Sequence, residues 1–95
     1  MPRAAPNAIR YFFADYGSHV IGGRVSKADE VRVSETIEGV GESGGEPLRK
    51  WTMGTREDLK DHPIVRKLMQ INEASLYDIL DAVDERYPKQ AEFPV

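Results

Sequence analysis

The segment Leu48-Arg49-Lys50-Trp51-Thr52-Met53-Gly54-Thr55-Arg56-Glu57-Asp58-Leu59 holds the one change of hydrophobic rhythm in this chain of 95 residues. Before Gly54 apolar side chains alternate, the period of a strand; after it they recur every three or four residues, the period of a helix. Trp51 and Met53 share one face of a short strand. Thr55 and Asp58 have the spacing of a capping box, with Leu59 as the first apolar residue of the new turn. The expected fold is α+β: an antiparallel sheet of three to four strands in the N-terminal half, followed by two to three helices packed on one face.

Working back from this switch, Ile9–Asp15 reads as the first strand. Ile9, Tyr11 and Phe13 fall on one face, and Phe12 and Ala14 fall on the other with Arg10. Apolar residues on both faces imply a central strand, or a second face covered by a partner. Tyr16-Gly17-Ser18 is turn chemistry, and His19–Val25 returns as a second strand, with a bulge or sharp bend expected at Gly22-Gly23. Val31, Val33, Glu35 and Ile37 share one face of an expected third strand. Gly39 to Pro47, with four glycines in nine residues, is expected as a flexible hairpin loop leading to a fourth strand over Leu48–Met53.

Forward of the switch, Pro63 suits the first position of a helix whose apolar stripe is Ile64, Val65, Leu68 and Met69. Asn72 is expected to cap the last helix, with Ile71 and Leu76 closing a hydrophobic staple. Leu76, Ile79, Leu80, Val83 and Tyr87 then share one face, and Pro88 ends the run. The domain organisation is one α+β unit over 1–95. It has a flexible lead-in over 1–7, where Pro2 and Pro6 oppose regular structure, and a tail over 89–95 able to pack through Phe93.

Composition narrows the function classes. An apolar share of 40% and a charged share of 31% are those of a soluble globular domain. The absence of cysteine excludes disulfides, thiol catalysis and cysteine-ligated metals. No apolar run approaches the roughly 20 residues of a membrane span, and the first residues lack the apolar stretch of a secretory signal. No membrane association is expected, and the cytoplasm is the expected compartment. The net charge of −3 argues against general affinity for polyanions.

Candidate chemistry is sparse. Gly39-x-Gly41-x-x-Gly44 matches a dinucleotide-binding spacing, but Gly45-Glu46-Pro47 and a strand-like segment follow where a helix is required. No cofactor is expected. His19 and His62 are the only histidines and cannot alone form a histidine-rich metal site, so no metal is expected either. As a general base His19 would need an orienting carboxylate, and Asp15 across the hairpin is the nearest.

Charge is segregated along the chain. Arg49, Lys50, Arg56, Lys60, Arg66 and Lys67 outnumber Glu57, Asp58 and Asp61 over Leu48–Gln70, a balance of +3. From Asn72 onward six acids face two bases, a balance of −4, which opposes DNA recognition through the last helix.

The aromatics concentrate in the strand half. Phe12, Trp51 and Met53 are the candidates for an apolar interaction surface on a sheet face left open by the helices; the alternation of a single strand does not assign the face of Trp51. The leading expectation is a small, non-catalytic interaction or ligand-binding domain that acts through this surface as a homodimer or with a protein partner. Two alternatives stand beside it. One is a small enzyme using His19 with Asp15, or a tyrosine, in a pocket between sheet and helices. The other is a weak nucleic-acid binder through Arg49–Lys67, with Trp51 as a stacking platform.

Overall fold

The computed structural model describes residues 9–95; the expected lead-in over 1–7 lies outside them. A four-stranded antiparallel sheet is built from β1 (Arg10–Asp15), β2 (His19–Val25), β5 (Lys50–Thr55) and β6 (Ala91–Pro94), in the order β5-β1-β2-β6. β1 is a central strand, as its two apolar faces require. Three helices follow β5: the single turn α2 (Arg56–Leu59), then α3 (Pro63–Asn72) and α4 (Leu76–Arg86). Their apolar side chains meet one face of the sheet, where Leu59, Ile64, Val65, Leu68, Ile79, Leu80 and Val83 enclose Tyr11, Phe13 and Val20. The expected α+β class and sheet are thus present.

The segment expected as a third strand is a helix, α1 (Glu30–Val40). Its apolar positions at 31, 33 and 37 fit a strand by alternation, but 33 and 37 also lie one helical turn apart. The helical solution buries Ile37 and half-buries Val33 against the second sheet face, and leaves Val31 70% exposed. Gly41 closes the helix in the left-handed region, at φ 66°, a stop signal that the strand reading passed over. The second face thereby gains its own core of Phe12, Ala14, Tyr16, Val25 and Ile37.

The fourth strand position falls to the chain's last residues. Residues 91–94, expected within a tail, pair antiparallel with β2, setting Val20 opposite Phe93 and Gly22 opposite Ala91. Phe93 then packs on Phe13, with ring centroids 6.4 Å apart. The glycine-rich stretch is a small hairpin, β3 (Glu42–Ser43) and β4 (Glu46–Pro47), turning on Gly44 and Gly45, both at positive φ.

Gly22-Gly23 produces no bulge: β1 and β2 pair without interruption from Arg10↔Val25 to Asp15↔Val20. The glycines instead make room for rings on both faces. A Cβ on Gly22 would stand 2.8 Å from Phe13 Cε1, and one on Gly23 would stand 2.5 Å from Phe12 Cε1. The last helix also begins later than expected. Ser75 caps α4 with a complete capping box to Asp78, while Asn72 ends α3 and donates its side-chain amide to the Leu68 carbonyl. Ile71 is half-exposed and closes no staple. The starts of α2 and α3 are those the sequence predicts, with the Thr55–Asp58 box opening α2 and Pro63 opening α3 behind His62.

Candidate functional site

Strand parity decides which candidate residues can meet. Asp15 pairs with Val20 and shares the face of Tyr11 and Phe13. His19 lies one residue out of step, with Ile21, Gly23 and Val25 on the opposite face. No Asp15–His19 dyad forms. Asp15 Oδ1 accepts from the Gly17 amide at 2.8 Å, and its Oδ2 lies 3.4 Å from Lys67 Nζ.

His19 has other neighbours, which the sequence reading missed. Its ring stacks on Tyr16, with centroids 5.3 Å apart. Its Nδ1 lies 3.2 Å from Ser18 Oγ, and its Nε2 lies 3.0 Å from Ser43 Oγ on the small hairpin. The Ser18 amide and hydroxyl both donate to Glu46, and these bonds hold the Glu46 carboxyl below its ordinary range. The chain Ser43–His19–Ser18–Glu46 pins β3–β4 onto the β1–β2 turn. The Gly44-Gly45 dipeptide was the signal that could have placed it, since a two-residue turn brings Ser43 and Glu46 side by side. His19 is only 8% exposed, and the principal recesses among the described residues lie elsewhere.

The tyrosines of the strand half are held neutral. Burial, and then the Asp84 carboxylate that accepts from its hydroxyl at 3.2 Å, push Tyr11 up to about 12. Burial also raises Tyr16. Neither is poised as a base near neutral pH.

The three apolar candidates do share a face. β5 pairs with β1 so that Met53 stands opposite Phe12 and Trp51 opposite Ala14. Phe12 is core, at 4% exposed beneath α1, whereas Trp51 and Met53 are half-buried at its margin. Beside them a groove of about 430 Å³ runs between α1 and β5, lined by Arg10, Glu30, Val31, Ser34, Trp51, Thr52 and Met53. Arg10 and Glu30 form an ion pair across it. β5 is an edge of the sheet, so this groove borders a strand with no further strand beside it among the described residues.

Several cations of the basic segment have partners of their own. Lys60 pairs with Glu57 at 3.4 Å, Arg66 with Asp61 at 3.7 Å and Lys67 with Asp15. Arg56 lies over the Tyr77 ring, 5.1 Å from its centroid. Trp51 is on the α1 face of the sheet, whereas Arg66 and Lys67 belong to α3 on the other. Among the described residues no three histidine or carboxylate side chains converge as metal ligands, and no helix is long and apolar enough to cross a membrane.

No protein-family model matches this chain, and neither a curated protein nor a solved structure matches it.

Proposed function

We propose that this protein is a non-catalytic interaction module that joins a second copy of itself along β5. The observation that carries the reading is a sheet edge with a half-buried tryptophan and methionine on one face. β5 is a six-residue edge strand without proline or bulge, the form best suited to strand addition.

The pairing can be worked out from parity. A two-fold axis normal to the sheet keeps each face continuous, so residues opposite one another must share a face. Placing Thr52 opposite its own copy sets Trp51 against Met53 of the partner subunit, twice. Aromatic rings favour such contacts with methionine sulfur. In this register Lys50 meets Gly54 of the partner subunit, so no like charges oppose. The same join continues the apolar face from one protomer into the other.

Light scattering after size exclusion should give about twice the chain mass of 10.7 kDa. Met53→Lys should give the single-chain mass with an unchanged circular dichroism spectrum. The chain has no cysteine, so Thr52→Cys offers a clean register test: mild oxidation should link two copies through that position. A wild-type protein that stays at single-chain mass at every concentration, with Thr52→Cys uncrosslinked, would overturn the reading.

A further inference from the structure

A second recess flanks α1 on the side away from β5, bounded by the end of β2, the start of α1 and the turn after α4. Its volume is about 330 Å³, at the small end of the ligand-site range. Three cations line it, Arg24, Arg32 and Lys89, against one carboxylate, Asp29. With Asp84 paired to Arg24 from outside, one positive charge remains in excess, in a protein whose net charge is −3.

The two arginines are held in place. Arg24 lies over the Tyr87 ring, 4.5 Å from its centroid, and is steadied by Asp84 at 3.6 Å from outside the recess. Asp29 accepts from Arg32 Nη2 at 2.9 Å and from the Ser26 hydroxyl at 2.7 Å, which fixes the opposite wall. Lys89 has no carboxylate within 4.0 Å among the described residues. Gly23 and the Phe12 ring close the apolar floor, and Gln90 and Ser26 add neutral polar groups to the wall.

We infer that this recess binds a small phosphomonoester. A phosphate group answers the positive excess of the lining, and guanidinium groups present the paired donors that phosphate oxygens accept. The enclosed size suits one small molecule rather than a nucleic-acid strand. Tyr87, 55% exposed, supplies a flat wall for the body of the ligand. The site lies apart from β5, so it stands or falls independently of self-association.

The test uses the full chain labelled with 15N. It is titrated with ribose 5-phosphate and adenosine 5′-monophosphate, each beside its dephosphorylated parent. The expected result is saturable shifts of backbone amides in 23–33 and 87–90, with the phosphorylated compound at least about tenfold tighter, the scale of a charge-assisted hydrogen bond. Arg32→Gln and Lys89→Gln alter exposed side chains, so the fold should persist; each should weaken binding about tenfold. Equal response to the dephosphorylated parents would overturn the assignment. So would shifts that fail to saturate, that map elsewhere, or that survive both substitutions.

Discussion

At the scale of single residues, the glycine pair of β2 shows how a position can be governed by its neighbour across the ladder. Gly22 and Gly23 read as weak points of a strand, yet Phe13 and Phe12 stand directly opposite them and lie over the bare backbone. Gly23→Ala should therefore destabilise the protein by about 1–3 kcal/mol, as overpacking does, and chemical denaturation would measure it. His62 carries the second residue-scale expectation. Its Nδ1 accepts from the Ile64 amide and caps α3, a role only the unprotonated nitrogen can fill. Burial first, and the charge of Lys50 second, hold its pKa below the ordinary 6.5. The unfolded chain thus binds a proton at higher pH than the folded one. This contribution is complete above pH 6.5 and is lost as pH falls from there through the lower folded value. His62→Asn keeps a capping acceptor without the titration. The stability gap between wild type and this variant, measured by denaturation at neutral and at mildly acidic pH, should shift in favour of the variant as pH drops.

Among the elements, α1 stands where a strand was expected and β6 where a tail was expected, while β1, β2, β5 and α3 formed where the sequence placed them and α4 began a few residues later. The difference lies in how much of each signal is local. Pro63 after a capping His62, and Ser75 with Asp78, determine helix starts with bonds inside a few residues. The 31–37 segment has no such signal at its start: Asp29 makes no side-chain cap, and its valines suit either period. Its helical state rests on Ile37 and Val33 docking onto Phe12, Ala14 and Val25. Ile37→Ala should cost about 2 kcal/mol, at the low end for such truncations because the second core is small. Amide exchange should accelerate across 30–40 and leave α4 nearly unaffected, since α4 belongs to the other core.

At the scale of the whole molecule, the sheet serves two cores of unequal size, and the candidate surfaces lie around the smaller one. The larger core, under α3 and α4, was legible in advance because its stripe of Ile64, Val65, Leu68, Ile79, Leu80 and Val83 repeats at helical period. The proposed dimer edge was half legible: Trp51 and Met53 were visible as one face, but their neighbours were not. The recess of Arg24, Arg32 and Lys89 was not legible at all, because its cations come from β2, α1 and the turn before β6. The separation of Asp15 from His19 likewise needed the register of β1 and β2, which places one on each face. What the amino-acid order determined by itself was the α+β class, the central hairpin and the capped helices, since periodicity and capping act within a turn or two of chain. What only the tertiary structure decided was the state of 30–40 and of 91–94, and with it both clefts. A four-residue strand has no hydrogen-bond partner until β2 offers one, and an ambiguous amphipathic segment takes the form that buries its apolar side against whatever surface is there.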